Sequence, residues 1–198
     1  MSSSARLLWS PSETVDTQLS QFARTVASKY GFNWEDDYHQ LWKWSVIKPE
    51  VFWSALWDWH GIIGDKGTRM IENPGKMPGT KFFPDATLNY AENMLSFDDT
   101  LRDIPALIAH GEDGRRTVLS RPDLRDKVLR LAGWMQELGV VKGDRVAGYV
   151  PNSEVALIAM LASASLGAIF SSCSPDFGIA GVTDRFGQIE PTILISIN

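Results

Sequence analysis

Three short apolar runs separated by helical stretches, all in the last third of the chain, constrain its fold more than any other feature. Between Val140 and Asn198, the runs Arg145–Val150 and Ala168–Ser172 flank a stretch rich in Ala and Leu, and Thr192–Ile197 follows a second helical stretch. A strand exposed on one face alternates apolar and polar residues; continuous apolar runs mean burial on both faces. Such strands, joined by helices, form a parallel sheet with helices on either side. The sequence therefore predicts an α/β fold with a βαβαβ segment. The loop 171–178 then falls at the carboxyl end of a strand, where open α/β sheets place ligands.

At 198 residues the chain holds one ordinary domain or one and a half. An apolar fraction of 44% with 22% charged residues is that of a globular protein. The net charge of −5 leaves no basic excess to release counterions, which excludes nucleic acid as a main partner. One cysteine excludes an internal disulfide and fits a reducing compartment. The opening MSSSARLLWSPSE has no apolar core of a secretory signal. The longest apolar stretch, Val155–Gly167, falls short of the ~20 residues of a membrane span. The expectation is a soluble, cytoplasmic protein that needs no membrane.

Residues 1–95 read as a helical, Trp-rich preface, and 96–198 as the start of an α/β domain. Ser12 is a candidate N-cap for a helix with Val15, Leu19, Phe22, Val26 and Tyr30 on one face, stopped at Gly31. A second helix is predicted around Trp34–Val46, and a third from Pro49 to just before Gly61. Residues 64–87 carry four Gly and three Pro and read as loop with a short strand at Arg69–Ile71. A short helix is expected over 87–95. Ala106–His110 and Thr117–Ser120 flank Asp113-Gly114, which predicts a hairpin. Pro122 opens a long helix with Leu124, Val128, Leu131, Met135 and Leu138 inward, closed by Gly139.

Seven of the eight Trp precede residue 60. Trp34, Trp42, Trp44, Trp53, Trp57 and Trp59 could form an aromatic cage, but their spacing reads as helices packing on one another. His39, His60 and His110 stand in no metal-ligand spacing. Cys173 lies where a nucleophile could, yet no base or oxyanion site is signalled nearby, so it reads as a small buried hydrophobe. ENPGKMPGTK does not match a P-loop, and no GxGxxG follows a strand. Taken alone, the residues stop at an α/β domain with a candidate ligand loop.

The string KGDRVAGYVPNSEVALIAMLASASLGAIFSS resembles the N-terminal region of the adenylate-forming acyl-CoA synthetases. That family shows a long helix ending in LG (here Leu138-Gly139), then V-x-K-G-D-R-V (Val140–Val146). Pro-Asn with a following Glu comes next (Pro151, Asn152, Glu154), then an Ala-rich helix ending in LGA (Leu166–Ala168). The Trp-rich preface and FFPDATLNYAENML are similar to the entry segment of the acetyl-CoA synthetase branch. LLWSPS, IFSSCSPDFG and VTDRFGQIEP are most similar to its acetoacetate-activating members. Acetyl- and propionyl-activating members carry Gly-Gly in the loop after the same strand, and that loop approaches coenzyme A. Here Pro175-Asp176 stand there, restricting the backbone approach that Gly-Gly permits.

The resemblance implies a ligase acting in two halves. Acetoacetate attacks the α-phosphorus of Mg-ATP to give acyl-adenylate and diphosphate; the thiol of CoA then displaces AMP. It implies ATP, Mg and CoA as cofactor and substrates, and Ser174, Pro175, Asp176 and Phe177 as an edge of the CoA tunnel. The family's phosphate-positioning strings, a Ser/Thr/Gly-rich loop ending in Lys and an aromatic-Thr-Glu motif, do not occur in residues 1–198. The expectation is therefore an N-terminal fragment with no catalytic and no metal-binding residues, inactive alone and prone to self-association through its apolar end. Alternatives are another short-chain synthetase of acetyl or propionyl type, a non-catalytic CoA- or nucleotide-binding module, and a structural fragment with no ligand.

Overall fold

A computed structural model describes residues 6, 8, 16–34 and 37–197. They divide into two compact units: 62 and below with 66–86, and 63–65 with 87 onward.

In the first unit, α1 (Gln18–Tyr30), α2 (Tyr38–Ile47) and α3 (Pro49–Trp59) precede a two-residue ladder of β1 (Ile71–Glu72) and β2 (Lys81–Phe82). The expected cap Ser12 and first apolar position Val15 lie outside the described residues. Thr17 accepts from the Ser20 N–H at 3.1 Å and caps α1, and Gly31 ends it with left-handed backbone (φ 72°). Asp37 caps α2 by accepting from the His39 N–H at 2.9 Å. Pro49 opens α3, where its missing N–H costs nothing. The core is Phe22, Ala23, Val26, Leu41, Trp44 and Ala55. Trp44 stacks on Phe32 with centroids 4.8 Å apart and meets Phe52 edge-on at 5.9 Å. The tryptophans are not uniformly core. Trp42 is 53% exposed and Trp53 41%. Residues two apart on a helix face away from each other, so burying Trp44 turns Trp42 outward.

The second unit begins with α4 (Tyr90–Leu95), which belongs with the α/β segment rather than with the helices before it. Asn89 caps α4 through Oδ1, and its Nδ2 donates to the carbonyls of Ala164 (3.0 Å) and Ser165 (3.2 Å). A 3-10 turn, Asp99–Leu101, leads to the antiparallel hairpin β3 (Pro105–His110) and β4 (Arg116–Ser120). The hairpin closes through a five-residue loop, with the Gly111 N–H donating to the Arg115 carbonyl at 2.8 Å. α5 (Arg121–Glu137) starts with a capping box. The Ser120 hydroxyl accepts from the Asp123 N–H, and the Asp123 carboxylate accepts from the Ser120 hydroxyl and N–H. Those donors hold the Asp123 carboxyl below its ordinary range. Leu124, Val128, Ala132 and Met135 are buried, but Leu138 is 55% exposed because the chain has already left the helix.

β5 (Arg145–Tyr149), α6 (Glu154–Ser165), β6 (Ile169–Cys173), α7 (Ile179–Gly187) and β7 (Ile193–Ser196) complete the fold. The sheet is parallel, in the order β6-β5-β7. Alternation along β5 sends Val146 to a core formed with α4, α5 and α6, and Ala147 to a separate cluster with Cys173 and Phe186 of α7. Helices thus cover both faces of the central strand, which explains its unbroken apolar run. Gly148 is needed for close approach: a Cβ there would stand 2.8 Å from Cζ of Phe170. In β7, Ile193 and Ile195 pack on the α6 side, whereas Leu194 is 57% exposed on the α7 side.

Candidate functional site

The β5-α6-β6 connection runs to one side of β5 and β6-α7-β7 returns to the other. The carboxyl end of β5 is therefore a switch point of strand order, where α/β sheets open a crevice. Of the predicted loop 171–178, Ser171 and Ser172 are strand residues; the loop proper is Ser174–Gly178.

Ser174, Pro175, Asp176 and Phe177 lie together here as a tight, tethered turn. The Ser174 hydroxyl donates to Asp176 Oδ2 at 2.7 Å and accepts from the Asp176 N–H at 3.3 Å. The Phe177 N–H donates to the Ser174 carbonyl at 3.2 Å. Asp176 is spent on this turn and does not cap α7, whose N-cap is Gly178 with no side-chain bond. Phe177 is 41% exposed, and the Arg185 guanidinium lies 4.1 Å from its ring centroid. The hydroxyl of Tyr149 donates towards the carbonyls of Pro175 (2.9 Å) and Phe177 (3.3 Å). Cys173 is buried against Ala147 and Phe186, a packing residue. His39, His60 and His110 are all exposed. Among the described residues no group of three or more His, Cys, Asp or Glu is placed to hold a metal ion, and no helix is long and apolar enough to cross a membrane.

Tyr149 and Arg185 were not singled out from sequence, and Arg145 only as one position of the V-x-K-G-D-R-V string. Each acts on backbone or rings that only the fold brings near, Tyr149 on carbonyls 26 and 28 residues away. The motif residues turn out to be fastenings. Asp144 accepts from the Val141 N–H at 2.8 Å, and the Ile169 N–H donates to the Asp144 carbonyl at 2.7 Å. The Gly143 N–H donates to the Gly167 carbonyl at 3.0 Å. Gly167 (φ 70°) lies so close under Lys142 that a Cβ would stand 3.1 Å from Lys142 Cγ. KGDRV and LGA are thus two halves of one clasp at the amino end of β5 and β6.

Among the concavities of the described residues, two larger ones contain no predicted site residue. One, of about 450 Å³, is lined by Asn89, Glu92, Arg125, Leu129 and Ser165. The other, in the first unit and about 740 Å³, is lined mainly by apolar residues including Phe52, Trp53, Met77 and Phe82.

Residues 98–197 match the AMP-binding enzyme family, and residues 38–94 match the acetyl-coenzyme A synthetase N-terminus. The chain belongs to the AMP-binding enzyme family. It is 39% identical to an acetoacetyl-CoA synthetase of Macaca fascicularis over 97% of its own length and 29% of that protein's. It is also 39% identical to an acetoacetyl-coenzyme A synthetase of Rhizobium meliloti (strain 1021), over 96% of this chain and 29% of that one. A malonamoyl-CoA synthetase of Penicillium aethiopicum is 39% identical over 97% of this chain and 27% of its own. Among solved structures, acetoacetyl-CoA synthetase from Streptomyces lividans superposes with a TM-score of 0.83 at 38% identity, covering 91% of this chain and 28% of that one. The chain therefore spans under a third of the length of these relatives.

Proposed function

We propose that residues 1–198 are the N-terminal portion of an ATP-dependent, AMP-forming acetoacetate–CoA ligase of the cytoplasm. The observation that carries this reading is the end-to-end similarity to acetoacetyl-CoA synthetases of vertebrate and bacterial origin, across both the preface and the sheet. In this reading the segment supplies scaffold, and Ser174, Pro175, Asp176 and Phe177 form one edge of the path taken by CoA. An exposed aromatic ring beside an ordered backbone turn suits a pantetheine arm, which offers apolar methylenes and amides.

The residues present do not fit ATP or Mg. No Ser/Thr/Gly-rich loop ending in Lys occurs in the sequence, and the described residues gather no set of three or more possible metal ligands. No step of adenylation is assigned to this segment. Its equal identity to the malonamoyl-CoA synthetase supports a second reading, in which another short β-substituted acid is the substrate.

The test is to incubate residues 1–198, and separately the complete product of its gene, with Mg-ATP, acetoacetate and CoA while following diphosphate release. Release is expected from the complete product only. Turnover by residues 1–198 alone would contradict the scaffold role, and its absence from both would contradict the ligase.

A further inference from the structure

We propose that Tyr149 is a positioning residue that sets the shape of the Ser174–Gly178 loop, and so the affinity for the thiol substrate. The inference rests on the reading that this loop borders the path of CoA.

Tyr149 is the last residue of β5 and pairs in register with Cys173, the last of β6. Alternation puts it on the α7 side of the sheet with Ala147, so its ring packs in that cluster and its hydroxyl reaches beyond the strand ends. There it meets the carbonyls of Pro175 and Phe177 at 2.9 and 3.3 Å. One O–H has a single hydrogen, so the two carbonyls share it and are drawn toward one point. The remaining ties are local: Ser174 to Asp176, and Arg185 against the Phe177 ring. Among the described residues, Tyr149 reaches this loop with side-chain hydrogen bonds from β5, across the gap between strands. A Gly-Gly loop can adapt to a ligand; a Pro-Asp loop has to be held in a conformation that already fits. Tyr149 holds it.

The experiment uses Tyr149→Phe, which keeps the ring and removes only the hydroxyl. On residues 1–198, chymotryptic cleavage after the half-exposed Phe177 is followed by mass spectrometry. Cleavage is expected to be severalfold faster in Y149F, with a melting temperature lowered by no more than a few degrees. An unchanged cleavage rate overturns the proposal and leaves the CoA reading standing. In the complete gene product, KM for CoA is expected to rise about two- to tenfold, the range for one lost neutral hydrogen bond. Acetoacetate-dependent ATP–diphosphate exchange should not change. A loosened loop with unchanged KM for CoA leaves Tyr149 as the tether of the loop but overturns the CoA reading and, with it, the proposed effect on thiol affinity. Equal loss in both half-reactions makes the effect a general structural one and also overturns the proposal.

Discussion

Arg145 donates from Nε to the carbonyl oxygen of Ile189 at 2.8 Å, and from Nη2 to that of Glu190 at 3.1 Å. The Thr192 N–H returns a bond to the Arg145 carbonyl at 2.8 Å. The arginine of the KGDRV string thus fastens the exit of α7, where Glu190 takes left-handed backbone (φ 46°), to the start of the central strand. Arg145→Ala is expected to destabilise the second unit by about 1.5–3 kcal/mol, the range for hydrogen bonds to a charged group. Denaturant unfolding checks it; a change below about 0.5 kcal/mol would mean the turn holds itself.

Gly148 and Phe170 are expected to be coupled. Gly148→Ala should cost about 1–3 kcal/mol by overpacking, since the new methyl meets the ring at 2.8 Å. Phe170→Leu removes the obstacle. In a double-mutant cycle the G148A penalty should shrink in the F170L background; purely additive effects would contradict the close approach.

The ladder of the first unit should be acid-sensitive. Arg69 donates from Nε to Asp85 Oδ2 at 2.9 Å and pairs with Glu72, which also pairs with Lys81 at 2.9 Å. The hydrogen bond from Arg69 holds the Asp85 carboxyl below its ordinary value, and the one from Lys81 does the same for Glu72. A carboxylate whose folded pKa lies below its unfolded one contributes stability that is complete above the unfolded value, about 3.9 for Asp. That contribution is lost as pH falls through the folded value. Melting should therefore soften below about pH 4, less so in Asp85→Asn and less at high salt. A D85N variant with the same acid slope as wild type would remove Asp85 from the explanation.

Residues 1–198 are expected to self-associate. Leu194 and Ile197 are 57% and 47% exposed, and among the described residues β7 has a strand neighbour on one side only. An open, apolar edge strand is a template for pairing. Light scattering over a concentration series should show growing mass, reduced by Leu194→Lys. A monodisperse wild-type monomer would contradict it.

The α/β segment was legible because its signals are local. Pro122 after Ser120 marks the start of α5, and the runs at Arg145, Ala168 and Thr192 mark strands to within a residue or two. What stayed hidden depends on which face a residue takes. Trp42 and Trp44 look alike in sequence, and only the packing of α2 decides that the second is buried. Leu138 continues the α5 spacing, but the chain leaves the helix before it. Likewise Ile193 and Leu194 belong to one apolar run, yet only the first packs on the main core. At the candidate site, Ser174–Phe177 were proposed from the strand-end rule and from resemblance, and the fold places them together in one turn. Tyr149 was not, because its hydroxyl acts on backbone atoms that no sequence spacing marks.

The most direct measurement of the central claim is kcat/KM of the complete gene product for acetoacetate, acetate and malonamate, measured side by side under saturating ATP and CoA. Acetoacetate is expected to be used most efficiently. A larger value for acetate would move the protein to the acetyl-activating branch. A larger value for malonamate would favour the fungal relative's chemistry, and either result would contradict an acetoacetate–CoA ligase.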